Sequence, residues 1–469
     1  MADALEAVRA NPMESAAFTM LLLFAAVGPL FSLTAGVRPA VGGGAPAPGA
    51  NTLLCLSAFL IATLTFLSRS ALPAPRPLAI PLGAITALAF LGVLQLVPIP
   101  RGVLGAIAPA NLRIYHESAQ ILSLYGEPAP TPRISIAPTE TAGVILLVLA
   151  YAGLFVSTVS LLSSRPRRRL FLGVLFLSAL AQIVVGAAVQ SPERVSGPLK
   201  NPDHFAGYLE IVLALAFGTL WAEVLVNRDR AGESQERGER FEKRFPAMAS
   251  RVLLWGIVAA GIALTQSRGG ILAAGVTTVA LAFVVLLLRP RLSRRRSGPL
   301  AATTLLLGLT FAVVAAGRSR FDRFLATDPR DITSSTRGIL WRTSTEAWSQ
   351  FPIVGSGLGT FREAFRRVQP SSLVALVENA HNDFLQLAVT GGAVGAAAGV
   401  VLFASLFFLV GRASFRQRHR EESAVALAGV GALLSLTLHG LVEFNLSVPI
   451  IPATLACALG VAWSSATRN

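Results

Sequence analysis

The stretch DFLQLAVTGGAVGAAAGVVLFASLFFLVG, residues 383–411, decides the fold of this chain. It is long and apolar, and its only charged residue, Asp383, stands at its beginning. A helix needs about 20 mostly apolar residues to cross the hydrocarbon core of a bilayer, where every backbone polar group must be paired internally. The stretch therefore predicts a membrane-spanning helix.

The rest of the chain has the same character. Of its 469 residues 53% are hydrophobic and 14% charged, and the mean hydropathy is +0.62. Charged residues make up about a quarter of a soluble domain, so an ordinary soluble protein is excluded. We expect an all-α integral membrane protein of about 12 transmembrane helices. The predicted spans are 16–35, 51–67, 77–98, 141–163, 169–189, 204–225, 251–266, 270–288, 299–317, 383–411, 422–440 and 446–464.

The charge of the chain indicates its orientation. Forty Lys and Arg stand against 25 Asp and Glu, a formal net charge of +15. Such a balance can indicate nucleic-acid binding, but here the basic residues punctuate apolar runs, so no nucleic-acid partner is expected. With the N-terminus in the cytoplasm, 24 of the 40 basic residues fall on the cytoplasmic side. This distribution follows the positive-inside rule and predicts a multi-pass protein of the bacterial cytoplasmic membrane.

Two outward segments, 99–140 and 318–382, are too long to be simple turns. Loops of such length are usually functional or disordered, and the aromatic and apolar content of 318–382 argues against disorder. We therefore divide the chain into residues 1–317 with spans 1–9, an extracytoplasmic subdomain at 318–382, partly helical and between spans 9 and 10, and residues 383–469 with spans 10–12. The inward segment 226–250 is rich in Arg, Glu, Gln and Gly and predicts a solvated linker.

Three of the outward arginines are candidates for a functional site, because orientation gives no reason for arginine on that side. Arg268 stands in a short turn between two spans, either as an interfacial arginine at a tight hairpin or as a guanidinium that binds phosphate oxygens. Arg337 and Arg342 flank Trp341 in the outer subdomain. They belong either to a solvated helix face or to a site for a diphosphate near the headgroup surface.

Polar residues also gather at the outward ends of the spans. His381 precedes Asn382 and Asp383, and a histidine oriented by a carboxylate can act as a general base. The alternative is that Asn382 or Asp383 caps the following helix and that His381 is present only incidentally. Residues His204, His439 and Glu443 stand at other outward span ends. The alternative for these histidines is amphipathic packing at the interface.

Several kinds of site are not indicated. The chain has no phosphate-binding Walker loop, no dinucleotide glycine fingerprint and no His-Glu-x-x-His zinc pattern. Asp328 and Asp331 form the only tempting carboxylate pair for a divalent ion, and Arg330 between them opposes a metal. We expect neither a metal nor another cofactor.

The outward motifs, taken together, resemble the O-antigen ligase and O-antigen polymerase family of bacterial membrane glycosyltransferases. The motifs that carry the resemblance share one order and one side of the membrane. They are NPDHFAGY at 201–208, SRGG at 267–270, Arg337 to Trp341, PIVGSGLGTF at 352–361, HNDFLQ at 381–386 and HGLVEFNL at 439–446. The resemblance covers roughly residues 200–460.

The resemblance implies a membrane bundle like that of the C-type glycosyltransferases, and a metal-independent transfer at the periplasmic face. A glycan would move from undecaprenyl diphosphate to a hydroxyl of a growing glycan or of lipid A–core, in the assembly of O-antigen or exopolysaccharide. Arg268 and Arg337 would engage the diphosphate, and His381 would be the base. The further substrate-binding candidates are Arg342, His204, His439, Glu443 and Asp383. Ala380 departs from the family pattern, in which a polar residue often precedes this histidine, so ligase and polymerase both stay open.

Two other functions account for parts of the pattern. A transporter or flippase for an anionic lipid-linked sugar would also need polar residues near the membrane, but transporters place them at the midplane of inverted repeats, which we do not find. A non-catalytic partner in polysaccharide export would not depend on the outward Arg and His residues.

Overall fold

A computed structural model of the chain describes residues 11–33, 48–68, 75–189, 194–229, 236–287, 336–371 and 373–467. Within these ranges the chain is built from α-helices and short 3₁₀ turns, with no strand. The helices are α1 Pro12–Val27, α2 Pro48–Leu67, α3 Pro75–Leu96, α4 Arg101–Ile107, α5 Pro109–Ser123, α6 Pro138–Leu161, α7 Arg165–Val189, α8 Pro202–Asp229, α9 Glu236–Thr265, α10 Arg268–Leu287, α11 Thr336–Gln350, α12 Phe361–Arg366, α13 Asp383–Arg416, α14 Arg420–His439 and α15 Ile450–Ala466. The prediction of an all-α membrane protein is confirmed.

Eight of the helices in the described ranges are long and apolar enough to cross a membrane. Three shorter apolar helices, Asn51–Leu67, Arg268–Val284 and Ile450–Ala466, coincide with further predicted spans. The predicted ninth span, 299–317, lies outside the described residues. Many large apolar side chains on these helices are exposed, such as Phe90 and Leu177, as expected of surfaces that face lipid.

The segment predicted to be a solvated linker, 226–250, is largely helical. Helix α8 continues to Asp229, and α9 already begins at Glu236. The predicted linker is therefore helical over 236–250. The Glu, Arg and Lys residues that suggested it are also good helix formers, and they extend the apolar helix that follows.

Helix α8 lies at the centre of the bundle. In the most apolar stretch of α8, 83% of the residues are buried inside the protein. The corresponding share for α13, at the periphery, is 22%. Its closest neighbour is α14, and Gly218 lets the two backbones approach each other. A Cβ atom at Gly218 would lie 2.5 Å from Ala428 Cβ and 2.9 Å from the carbonyl oxygen of Ala424. Small residues at such contacts are typical of helix packing in membranes.

Helix α13 is interrupted at Gly392, which has φ +62° and ψ −165°. The glycine-rich segment 352–359 fills this break with its own backbone. Ala393 N–H donates to Pro352 O at 2.8 Å, and Gly357 N–H donates to Thr390 O at 3.0 Å. The backbone groups freed by the break are therefore paired within the protein, as an apolar environment requires.

The buried amide of Gln95, at the end of α3, fastens the same segment. Its Nε2 donates to Val354 O at 2.7 Å, and its Oε1 accepts from Leu358 N–H at 2.8 Å. Helices α5, α11 and α12 pack around one small core above this junction. Helix α5 and the segment 336–371 thus form one body, anchored on the break in α13, and α11 is held next to the beginning of α13.

The close approach of α8 and α14 yields a stability prediction. Because a Cβ at Gly218 would overlap α14, we expect Gly218→Ala to destabilise the protein by about 1–3 kcal/mol, the usual cost of overpacking. The measurement is the thermal unfolding midpoint in detergent. Gly256→Ala in α9 is the matched control, because nothing lies within 4 Å of the added Cβ. A midpoint equal to that of the control would contradict the packing described.

Candidate active site

The candidate residues of the sequence analysis lie at one end of the bundle. The site is formed by the first turn of α11, the beginning of α13, the loop 440–449 between α14 and α15, and the adjoining ends of α8, α10 and α14. These elements are far apart in the sequence, and the fold brings them together.

Glu443 links two of the three predicted catalytic residues. Arg337 Nη2 donates a hydrogen bond to Glu443 Oε1, and His381 Nδ1 lies 3.0 Å from Glu443 Oε2. The Glu443 side chain is only 3% exposed, whereas Arg337 is 46% and His381 21% exposed. A buried carboxylate therefore holds a guanidinium and an imidazole side by side at an open surface.

The surroundings of Glu443 keep it ionised. Burial raises the pKa of its carboxyl, but the hydrogen bond to His381 and the charges of His381 and Arg337 outweigh burial, so the pKa lies below the ordinary value of 4.5. An ionised carboxylate only accepts hydrogen bonds. In neutral His381 the proton therefore belongs on Nδ1, which leaves the lone pair of Nε2 available as a base.

The backbone around His381 is held in an uncommon conformation. His381 has φ +49°, and the Trp341 indole N–H donates to its carbonyl oxygen at 3.2 Å. Asn382 caps α13 by accepting from Leu385 N–H at 2.9 Å, and its amide donates to Leu441 O at 3.0 Å. The predicted cap is thus present at Asn382, and it fixes His381 without using the histidine side chain.

Asp383 does not contact the His381 side chain in the way that the tripeptide suggested. Its carboxylate is buried and accepts the Leu446 N–H at 3.2 and 3.1 Å, while its own N–H donates to Gly440 O at 2.8 Å. Asp383 therefore fastens the loop that carries Glu443. The carboxylate that orients His381 is Glu443, 62 positions further along the chain.

Phe444 lies between two of the histidines. Its ring is 4.8 Å from that of His381 and 4.4 Å from that of His204, both edge-to-face. His204 is buried, and its Nδ1 lies 3.1 Å from Asn445 Oδ1. His204 is thus a packed residue beneath the site rather than part of its open surface.

His439 belongs to a second, fully enclosed pair. Its Nδ1 lies 2.7 Å from Glu210 Oε1, and both side chains are 0% exposed. Ser435 donates to the other oxygen of Glu210 at 2.7 Å. The sequence analysis missed Glu210, although an acidic residue inside an apolar span is itself a signal of a functional or paired group.

Arg268 lies at the same end of the bundle. It is exposed at the beginning of α10, where Ser267 accepts the Gly270 N–H at 3.2 Å. The next residue, Gly269, packs on His439, since a Cβ there would be 2.8 Å from His439 Cδ2. The Arg268 backbone is therefore adjacent to the buried His439–Glu210 pair.

Two further arginines differ in their placement. Arg194, which the sequence analysis did not single out, pairs with Asp203 at 3.0 Å and donates to Thr265 O at 2.9 Å, beside the turn that precedes Arg268. Arg342 is exposed on α11, five positions after Arg337, so the two side chains point in different directions around the helix. The structure brings Arg337 to Glu443 and His381 and leaves Arg342 outside this group.

The described part of the chain contains no group of three or more His, Cys, Asp or Glu side chains with the geometry to hold a metal ion. Asp328 and Asp331 lie outside the described residues. The two cysteines, Cys55 and Cys457, are both free thiols.

Comparison with known proteins identifies one family. Residues 252–400 match the family model described as O-antigen ligase. The matched segment contains Arg268, Arg337, Arg342, His381 and Asp383, and it ends before Glu443. A search of the curated proteins finds no match to this chain. The family match supports a place for the chain among the O-antigen ligases and polymerases, as the motifs predicted.

The ionised state of Glu443 yields a pH prediction. Because the folded-state pKa lies below 4.5, Glu443 stabilises the fold fully above about pH 4.5, and this contribution is lost as the pH falls through the folded pKa. The measurement is the thermal unfolding midpoint in detergent as a function of pH. In the wild type the midpoint falls on the acidic side, and we expect Glu443→Gln to make this fall less steep. Glu346→Gln, at an exposed position of α11, is the control and should keep the wild-type slope. An unchanged slope in Glu443→Gln would rule out this electrostatic role.

Proposed function

From the O-antigen ligase match over residues 252–400 we propose that this protein is a membrane glycosyltransferase of surface-polysaccharide assembly, acting at the periplasmic face of the bacterial cytoplasmic membrane. It moves a glycan from an undecaprenyl-diphosphate donor to a hydroxyl group of a glycan or lipid A–core acceptor, and it does so without a metal. Ligation and polymerisation are the same chemistry with different acceptors.

The observation that carries the proposal is the bridge from Arg337 through Glu443 to His381. It places a fixed cation and an oriented imidazole next to each other at the accessible end of the bundle. Transfer from a lipid diphosphate needs both groups: a base for the acceptor hydroxyl and positive charge for the leaving group.

The chemical step is a displacement at the anomeric carbon. His381 Nε2 takes the proton of the acceptor hydroxyl as that oxygen attacks the anomeric carbon. The bond from this carbon to the diphosphate oxygen breaks, and its electron pair leaves with the diphosphate. In-line attack inverts the anomeric configuration. Glu443 supports the step because its negative charge stabilises the imidazolium that forms.

The arginines receive the charge that develops on the leaving group. Arg337 uses one side of its guanidinium on Glu443 and is nearly half exposed, so further N–H donors are available for phosphate oxygens. Arg268 is exposed at the same end of the bundle. Fixed guanidinium groups in a site of low dielectric stabilise developing negative charge without reorganisation in the transition state.

The periplasmic location rests on the distribution of basic residues. Since 24 of the 40 lie on the opposite side, the Arg337–Glu443–His381 end faces outward. Nucleotide sugars are absent from that compartment, so a sugar donor must arrive there on a lipid carrier. A lipid-borne diphosphate reaches a site at the end of a membrane bundle directly from the bilayer.

A transporter or flippase is the second candidate, and the interrupted helix α13 is the observation that favours it. Transporters bind substrate at such breaks, where freed backbone groups line a cavity. Here the groups freed at Gly392 bond to the segment 352–357 instead. The break serves to anchor the outer subdomain, which favours the transferase.

Substitution of the three catalytic candidates tests the proposal. We expect His381→Ala to lower the rate of glycan transfer about 10²- to 10⁴-fold through loss of the base. Arg337→Ala and Arg268→Ala should each lower it about 10²- to 10³-fold through loss of charge stabilisation. The measurement is transfer by the purified protein from an undecaprenyl-diphosphate glycan, with expression checked by immunoblot.

The control is Arg366→Ala, at an exposed position of α12 in the same outer subdomain, which should transfer at the wild-type rate. Wild-type rates in all three site variants would refute the assignment. Movement of labelled lipid-linked sugar across liposomes, without formation of a glycosidic bond, would establish the transporter in its place.

A further inference from the structure

The uncommon backbone conformation of His381 has to be held from both sides of the residue. Its φ of +49° lies in the left-handed region, which a residue other than glycine keeps only where the surrounding structure fixes it. On the C-terminal side, Asn382 donates to Leu441 O, and the Asp383 N–H donates to Gly440 O. The residues before His381 need an equivalent anchor, because φ changes as soon as the preceding peptide rotates.

The side chain of Gln386, in the first turn of α13, supplies this anchor. Its Oε1 accepts the Ala380 N–H at 3.0 Å, and its Nε2 donates to Asn379 Oδ1 at 3.0 Å. A backbone N–H can only donate, so the amide must present its oxygen to Ala380 and its two N–H donors elsewhere. The methyl group of Ala380 is 0% exposed and packs in the small core beneath α11. The two residues before His381 are thus held by packing and by one amide.

The same amide also reaches the loop that carries Glu443. The second N–H of Gln386 donates to Ser447 Oγ at 2.8 Å, and Ser447 lies four positions after Glu443 in the loop 440–449. Gln386 therefore joins the segment that ends in His381 to the loop that orients the His381 imidazole. Its acceptor and both of its donors are used for this connection.

Few other side chains could make these three bonds at position 386. An ionised glutamate accepts hydrogen bonds but cannot donate them, and asparagine is one methylene group shorter. Methionine has nearly the length and volume of glutamine, but it has no N–H donor and only a weak sulfur acceptor. The substitution Gln386→Met therefore removes the bonds and leaves most of the packing.

We propose that Gln386 is a positioning residue of the transfer reaction. It keeps His381 in the left-handed conformation and keeps the imidazole within hydrogen-bond distance of Glu443. It acts on the backbone before the base and on the neighbouring loop, not on the reacting atoms. This inference rests on the proposed transferase function, in which His381 is the base.

Steady-state kinetics of glycan transfer test the proposal. We expect Gln386→Met to lower kcat about 10- to 100-fold, since a reacting group displaced by about 1 Å can lose about 10² in rate. The KM for the undecaprenyl-diphosphate glycan should stay near the wild-type value, because the arginines are untouched. In a His381→Ala background the same substitution should cost much less, because the group that it positions is gone.

Gln369→Met is the matched control. The Gln369 amide also fastens backbone, with hydrogen bonds to Leu373 O and Ala375 O in the same segment, but it does not adjoin His381. We expect this variant to keep the wild-type kcat. Ser447→Ala is a milder test that removes only one of the three bonds. It should lower kcat about fivefold, the size of one hydrogen bond.

The tautomer of His381 gives a readout that does not depend on activity. Protein labelled with ¹⁵N-histidine is studied by solid-state NMR in lipid at about pH 8.5, well above the ordinary histidine pKa. The His381 signals are identified by their absence from His381→Ala. In the wild type we expect the proton on Nδ1, facing Glu443, and in Gln386→Met a second form with the proton on Nε2.

Three results would overturn the proposal. One is a wild-type kcat in Gln386→Met or in Ser447→Ala. Another is a loss from Gln386→Met that is equally large in the wild type and in the His381→Ala background, which would mean a general structural defect. The third is an unchanged His381 ¹⁵N spectrum in Gln386→Met. If the wild type itself transfers no glycan, the proposed function fails, and the ¹⁵N spectra still decide whether Gln386 holds His381.

Discussion

The carboxylate of Glu443 is the group on which the arrangement of Arg337 and His381 depends. It is buried, it belongs to a loop between the last two helices, and it binds Arg337 from α11 and His381 from the residue pair before α13. Without this carboxylate, Arg337 and His381 would have no shared hydrogen-bond partner to hold them next to each other. A single buried charge therefore sets both the position of the Arg337 guanidinium and the tautomer of the His381 imidazole.

The need to pair every backbone group in hydrocarbon explains how the segment 352–359 is attached to α13. Helix α13 is broken at Gly392, and the segment 352–359 supplies the missing partners. The same hydrogen bonds that repair the break hold α11 over His381, where the Trp341 indole reaches the His381 carbonyl. The pairing of backbone groups that the membrane requires thus also helps to position His381.

Hydropathy predicted the helices well because the length needed to cross a bilayer is a strong local constraint. It could not show that α9 begins at Glu236, because charged residues lower the hydropathy of a segment even when they are good helix formers. For the site, the local sequence suggested Asp383 as the carboxylate that orients His381, whereas in the structure that carboxylate is Glu443. Contacts between distant segments leave no periodic signal in one sequence. Glu210, by contrast, was readable as an acid inside an apolar span.

The central claim is that Glu443 and His381 act as one unit, and a double-mutant cycle on the rate of glycan transfer tests it most directly. His381→Gln, Glu443→Gln and the double variant are compared in the purified protein under saturating donor. If Glu443 acts through His381, Glu443→Gln costs less in the His381→Gln background than in the wild type, and the loss that remains there is the part that passes through Arg337. Losses that multiply in the double variant would contradict the account, because they would show two independent contributions.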